Sequence, residues 1–138
     1  MLYSKWKIFT MKKILLPLIV IITFSSCTKT VQAPTQTYAV IGTIMPTDWV
    51  STGTGGYAVS INIPDITQSV LNAGGVAVSI SFDGGNTYEA LPEVVNGVAY
   101  GTYYSYGTVN IDLFTATGSG SVYPPTSTIL VKILVTTP

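Results

Sequence analysis

The chain has 138 residues, with six Lys against six Asp and Glu, a single Cys, and no Arg or His. Four of the six lysines precede Cys27, so residues 28–138 carry two lysines and all six carboxylates. Nucleic-acid binding requires clustered positive charge, so this composition excludes it. Because His is absent and Cys27 is alone, the commonest general base, the usual zinc ligand sets and an intrachain disulfide are all missing. We therefore expect no cofactor, no metal and no enzymatic activity.

The segment from Met11 to Cys27 has the layout of a secretory signal. Two lysines follow Met11, an apolar run covers residues 14–24, and small residues precede Cys27. This run is well short of the ~18–20 apolar residues that a membrane-spanning helix requires. We therefore predict a signal peptide over residues 1–26, with the true start at Met11.

The signal segment ends in "FSSC", which resembles a bacterial lipobox, with Phe24 where leucine is usual. The resemblance implies cleavage before Cys27 and acylation of its thiol and of its new amino group. Several acyl chains hold a protein stably on a membrane. We expect a lipidated cysteine and tether over residues 27–36, and an outer-membrane lipoprotein on the periplasmic face or at the cell surface. The alternative is an ordinary signal peptide with an incidental cysteine.

Beyond residue 36, apolar and polar residues alternate along several segments. In "VAVSISF" (76–82) the Val, Ile and Phe side chains share one face and the small residues share the other. Such alternation predicts strands with one buried face and one wet face. The strand-like segments are 37–45, 57–63, 76–82, 88–95, 98–106, 108–114 and 128–136. Between two of them, Asn96-Gly97 is typical of a two-residue hairpin turn.

One segment, "PDITQSVLNAGG" (64–75), breaks this alternation and predicts a short helix. Asp65 is placed as an N-cap, Gln68 as its capping-box partner and Gly74 as the C-terminal stop. About seven strands and one small connecting helix predict an all-β fold, an antiparallel β-sandwich of immunoglobulin-like or jelly-roll type, over residues 37–138.

The stretch "SFDGGNTYEALP" (81–92) has the spacing of the Asp-box found in sialidases. Sialidases carry this motif once per propeller blade and use an arginine cluster, whereas this chain has one copy and no Arg. A calcium loop is disfavoured because a glycine occupies a position where an oxygen ligand is needed. We therefore predict a structural hairpin, formed by Ser81, Asp83, Gly85, Thr87 and Tyr88.

An aromatic cluster, "YGTYYSYG" (100–107), is the first candidate binding surface. On a strand, Tyr100, Tyr104 and Tyr106 share one face, where they could form a platform for sugar rings or for another protein. The favoured interpretation is that they cover the rim of the core or form a cross-strand ladder. Trp49 has the same two interpretations, as a plug over one end of the sandwich or as a ligand-stacking ring.

Glu89 and Glu93 are the candidate catalytic carboxylates for glycoside hydrolysis. Four residues apart on one strand, they would lie about 13 Å apart on the same face. That separation is too large for a retaining pair, so we interpret both as solvated surface carboxylates.

Trp49 followed by "YAVSINIPDITQSVLNAGGVAVSISFDGGNTYEALP" (57–92) resembles small lipoproteins of Bacteroidota bacteria. The similarity extends over roughly residues 38–135 and is most specific in 57–92. It implies a secreted, lipid-anchored β-sandwich, and it carries no established activity or site residues to transfer.

Together these features predict a non-enzymatic envelope lipoprotein that serves as a binding or structural module. Its expected partners are the membrane, through the lipid, and an envelope protein or glycan. One alternative is a carbohydrate-binding module that uses Tyr100, Tyr104, Tyr106 and Trp49. A third hypothesis is a hydrolase that uses Glu89 and Glu93 alone.

Overall fold

The fold is given by a computed structural model, which describes residues 35–138. The predicted signal peptide, Cys27 and almost all of the predicted tether lie outside the described residues. Within 35–138, no helix is both long enough and apolar enough to cross a membrane.

Nine strands, one α-helix and one 3-10 turn make up the described part of the chain. The strands are β1 (Gln36–Ile44), β2 (Val50–Ser51), β3 (Tyr57–Asn62), β4 (Gly75–Ser81), β5 (Glu89–Ala90), β6 (Glu93–Val95), β7 (Val98–Ser105), β8 (Thr108–Thr115) and β9 (Ile129–Thr137). The helix α1 covers Gln68–Ala73, and the 3-10 turn covers Pro46–Asp48.

The strands form two antiparallel sheets, which confirms the predicted all-β sandwich. The four-stranded sheet has the order β1-β9-β4-β5, and the five-stranded sheet has the order β2-β3-β8-β7-β6. Within each sheet every neighbouring pair is antiparallel. The chain therefore crosses between the sheets several times and does not complete one before starting the other.

The core lies between the two sheets and follows the period-two pattern of the sequence. Along β9, alternate residues are fully buried: Ile129, Val131, Ile133 and Val135. Along β8 the buried set is Val109, Ile111 and Leu113. Because successive strand residues point to opposite faces, the residues between these positions form the outer faces of the sandwich.

The predicted strand over 88–95 is wrong as a single element, and its division has a clear cause. Leu91 and Pro92 separate β5 from β6, and these two strands belong to different sheets. Proline has no N–H to donate to a strand ladder, so a continuous strand is interrupted there. This crossing, together with the short strand β2, accounts for nine strands where about seven were expected.

The Asn96-Gly97 hairpin is confirmed. Val95 pairs with Val98, and both intervening residues have positive φ, 51° at Asn96 and 80° at Gly97. These angles are those of the two-residue turn that matches the natural twist of paired strands.

The predicted helix is present, but it starts later than expected. Thr67 occupies the N-cap position with no side-chain capping bond, so the assignment of Asp65 as N-cap is wrong. Gln68 donates from its amide to Asn72 (2.8 Å) and takes no part in a capping box. At the other end Gly74 is the C-cap, as predicted, and its N–H bonds to the carbonyl of Val70 at 2.9 Å.

Candidate functional site

The four aromatic residues proposed from the sequence do not lie on one exposed surface. Trp49 and Tyr100 are buried, with 7% and 6% of their surface exposed. Tyr104 and Tyr106 are accessible, with 40% and 66% exposed. Tyr106 also lies in the turn after β7 and not on the strand. The alternative of a ligand-binding platform is therefore wrong for Tyr100 and Trp49, whose burial agrees with the favoured interpretation that they pack on the core.

Tyr100 is buried because its strand position faces the core. It pairs with Leu113, whose side chain lies between the sheets, and its ring meets Phe82 edge-on at 5.6 Å between centroids. Burial raises the pKa of the Tyr100 hydroxyl, and the nearby Glu93 carboxylate raises it further. Trp49 belongs to the same core, and among the described residues its Nε1 has no hydrogen-bond partner.

The Asp-box residues form a closed network in the loop that connects β4 to β5. The Asp83 carboxylate accepts from the Thr87 N–H at 2.9 Å and from the Ser81 hydroxyl at 2.7 Å. The Ser81 oxygen accepts from the Gly85 N–H at 2.9 Å, and the Asn86 amide donates to the Asp83 carbonyl at 2.7 Å. These bonds, above all that from the Thr87 backbone, lower the pKa of Asp83 to about 2. One oxygen of the Asp83 carboxylate thus accepts two hydrogen bonds inside the loop.

Tyr88 is the next residue along the chain after this network. Its ring contacts Lys132, which is the only Lys among residues 35–138. The Lys132 ammonium lies 3.7 Å from the centroid of the Tyr88 ring. A cation over an aromatic face is attracted to the negative charge of the π-system. This contact places the cation on the outer face of the four-stranded sheet, because Lys132 alternates with the buried residues of β9.

The two glutamates are much closer to each other than one strand would allow. The chain turns at Leu91–Pro92, and the Glu93 side chain then meets that of Glu89, so the expected separation of about 13 Å is wrong. Desolvation raises the pKa of the Glu93 carboxyl, and a hydrogen bond and charge repulsion from Glu89 raise it further. Glu89 Oε2 is buried without a hydrogen-bond partner within residues 35–138.

An accessible site that the sequence did not reveal lies on the outer face of the five-stranded sheet. A groove of about 480 Å³ runs between the loop 52–56, strands β3, β8 and β7, and the loop 115–120. We call this the outer groove. Its lining includes Thr54, Ala58, Tyr103, Asp112, Phe114 and Gly118. Its volume is within the range of small-ligand sites.

Two half-exposed aromatic rings flank the outer groove. Tyr103 has 55% of its surface exposed and Phe114 has 50%. The Phe114 ring covers Gly101 on the neighbouring strand, where a Cβ would lie 3.2 Å from the ring. A side chain at position 101 would therefore have to displace this ring.

Asp112 lines the groove beside both rings, two residues from Phe114 on β8 and diagonal to Tyr103 on β7. Strand register places it opposite Ala58 on β3 and opposite Gly101 on β7. Both neighbours are too small to cover the carboxylate. Burial raises the pKa of Asp112, and no ion pair or hydrogen bond to its carboxylate is found within residues 35–138.

One end of the groove is closed by a close approach of two loops. The Val122 N–H donates to the Gly55 carbonyl at 2.9 Å. Gly55 has a φ of 82°, and a Cβ there would lie 2.9 Å from the Gly120 carbonyl oxygen. Only glycine fits this position without displacing backbone.

Two local features of the sequence bear on this site, although neither of them indicates a groove. The alternation in β8 already places Asp112 on the wet face, and a two-residue turn at Tyr106-Gly107 sets the register of β7 against β8. That register brings Gly101 opposite Asp112 and puts Tyr103 on the same outer face. The contribution of the loops 52–56 and 115–120 depends on tertiary packing and has no comparable local signal.

Among residues 35–138 no group of three or more Cys, Asp or Glu side chains is arranged to hold a metal ion. Comparison with protein-family models, with curated proteins and with solved structures found no match to this chain.

The Asp83 network predicts a loss of stability in acid. The folded-state pKa of about 2 lies below the ordinary value of 3.8, so the stabilisation is complete above pH ~4 and is lost as the pH falls toward ~2. We expect Asp83→Asn to unfold at a lower temperature than the wild type near neutral pH, and this difference to shrink between pH ~4 and ~2. Thermal unfolding followed across this range, with Asp65→Asn as control, measures it. A difference independent of pH would contradict the assignment.

The contact between Glu89 and Glu93 predicts an effect of pH on stability that is opposite to the effect of Asp83. A carboxyl whose pKa is raised by folding destabilises the fold when ionised, and this effect disappears as the pH falls through its folded-state pKa. Glu93→Gln removes the repulsion and supplies an amide donor toward Glu89. We expect this variant to be more stable than the wild type to denaturant at pH ~7, with the gain lost in acid. A variant that is less stable at neutral pH would refute the contact.

Proposed function

We propose that the protein is a lipid-anchored component of the cell envelope and acts as a non-enzymatic binding module through the outer groove. The observation that carries the binding role is the groove itself: an open depression with exposed aromatic rings around an uncompensated carboxylate. Exposed aromatic surface and a partly buried carboxylate without a counter-ion both cost free energy in an isolated domain. Their combination at one place is typical of a surface that a ligand covers.

Support for the anchor comes from the sequence before the described residues. The lipobox-like "FSSC" places the acylated residue at Cys27, and β1 begins at Gln36. Residues 28–35 can span at most about 28 Å when fully extended. An anchored domain would therefore stay within a few tens of ångströms of the bilayer.

The position of the two glutamates supports a role without catalysis. A glycosidase holds its two carboxyl groups roughly 5 Å or more apart, so that the scissile bond lies between them. Here the Glu93 carboxyl is close enough to Glu89 for that carboxylate to raise its pKa, which does not match the spacing of such a pair. The absence of His from the whole chain removes the commonest alternative general base.

A carbohydrate is the second candidate ligand. Aromatic rings stack on sugar rings, and Tyr103 and Phe114 present such rings at the groove. This candidate uses different residues from the set proposed on the sequence, of which only Tyr104 and Tyr106 are accessible.

The anchor is tested by Cys27→Ala in the native host. Without the acylated thiol, we expect the protein to leave the membrane fraction and appear in the soluble fraction. Immunoblots of separated fractions measure this, and Ser26→Ala, which keeps a small residue before the cysteine, is the matched control. Unchanged membrane association of Cys27→Ala would overturn the anchoring.

The binding role is tested by removing both rings of the groove. Full-length protein tagged after Pro138 is solubilised from its own envelope, and co-purifying proteins and glycans are identified. We expect a ligand that the wild type retains and Tyr103→Ala/Phe114→Ala loses. The control is Tyr104→Ala/Tyr106→Ala, which removes two exposed rings outside the groove. Equal retention by wild type and groove variant, or no retained ligand, would contradict a binding function at this site.

A further inference from the structure

The electrostatics of the outer groove identify the chemical class of its ligand. Lys132 is the only Lys among residues 35–138, and its ammonium lies over Tyr88 on the other sheet. The described part of the chain therefore offers no cation to Asp112. Six carboxylates stand against this single lysine, so the surrounding field is negative as well. An anionic ligand would be repelled, and a cationic one would be attracted.

The two rings strengthen this preference. A cation within about 6 Å of a ring centroid is attracted to the negative charge of the aromatic face. Phe114 is two residues from Asp112 on the same strand, so both side chains point to the same outer face. Tyr103 lies diagonally across on β7, within the roughly 7–8 Å over which such neighbours interact. A group above Asp112 can therefore touch the carboxylate and both rings.

The oxygen atoms that line the groove determine which kind of cation it can bind. A bound calcium ion takes 6–8 oxygen ligands, and magnesium requires near-octahedral oxygen coordination. Among residues 35–138, Asp112 is the one carboxylate that lines this groove. An alkylammonium group has different needs: hydrogen bonds to one carboxylate, and apolar or aromatic contacts for its carbon stem. The small Ala58 leaves room for such a group beside the carboxylate on the β3 side, and the Phe114 ring over Gly101 bounds that room on the β7 side.

We propose that the outer groove binds a primary ammonium group of its ligand, with the cation on the Asp112 carboxylate and its carbon stem between Tyr103 and Phe114. The proposal rests on the proposed binding function and specifies its ligand chemistry. A lysine side chain of a partner protein fits this arrangement, because its alkyl stem can lie between the rings while its ammonium contacts the carboxylate. The amino group of a deacetylated amino sugar has no such stem and is the alternative that the test separates.

The test uses full-length protein in detergent and two cationic probes, hexalysine and the glucosamine hexamer. Each is compared with its fully acetylated form, which has the same backbone and no charge. Calorimetry or fluorescence anisotropy measures the affinities at low and at near-physiological salt. We expect hexalysine to bind at least tenfold more tightly than its acetylated form. Binding of the glucosamine hexamer alone would assign the ammonium to a sugar and overturn the assignment to lysine.

The matched variants are Asp112→Asn and Glu93→Gln, which each remove one carboxylate from the same sheet. Asp112→Asn is expected to weaken binding of the cationic probe at least tenfold, and Glu93→Gln to leave it within about twofold. Thermal unfolding of each variant verifies that it is folded. If Asp112→Asn does not fold, the comparison of charged and acetylated probes on the wild type still decides the outcome.

Three results would overturn the proposal: no binding of either cationic probe, equal binding of the acetylated forms, or equal effects of the two variants. These outcomes are distinct from failure of the binding function. An envelope ligand that depends on Tyr103 and Phe114 while both cationic probes fail would keep the groove as a binding site and refute only the ammonium.

Discussion

The pairing of β9 with both β1 and β4 is the constraint on which the sandwich depends. β9 is an interior strand of the four-stranded sheet, and its ladder with β1 joins Gln36 to Thr137 across almost the whole described chain. Threonine hydroxyls at positions 37 and 136 also share a hydrogen bond of 2.9 Å. Pairing so distant in sequence costs loop-closure entropy, which the apolar inner face of β9 must offset.

Burial of one face of each sheet determines where a ligand can bind. The inner residues of β8 and β9 fill the core, so any accessible side chain on these strands lies on an outer face. The two outer faces differ in charge. That of the four-stranded sheet carries Lys132 over the Tyr88 ring, whereas that of the five-stranded sheet carries Asp112, which has no cation beside it within residues 35–138. The asymmetry between the sheets is therefore electrostatic as well as geometric.

Much of the fold could be predicted because a strand residue's face depends on its position alone. The alternation in 76–82 and 108–114 placed two strands correctly, and the Asn96-Gly97 turn fixed a hairpin. What failed depended on tertiary structure. A break at Pro92 sends β5 and β6 to different sheets and brings Glu89 to Glu93. No local sequence pattern encodes the order of strands in a sheet. The groove depends on that order, because β3, β8 and β7 must be neighbours to form it. Asp65 failed as an N-cap because the helix starts at Gln68, so that the N-cap position falls at Thr67, two residues after Asp65.

Three carboxylates show that the surroundings of an acidic side chain, and not its residue type, determine its pKa and what it can bind. Asp83 accepts hydrogen bonds inside its loop, and its lowered pKa reflects a charge that the fold already satisfies. Glu93 faces another carboxylate, so its raised pKa reflects a conflict within the fold. Asp112 has a raised pKa from burial alone, with no competing carboxylate and with two aromatic rings beside it. Protonation removes the repulsion between two carboxylates inside the fold. A ligand cation can neutralise a carboxylate that is accessible and has no counter-ion within residues 35–138. Asp112 is therefore the one of the three to which we assign the proposed ligand.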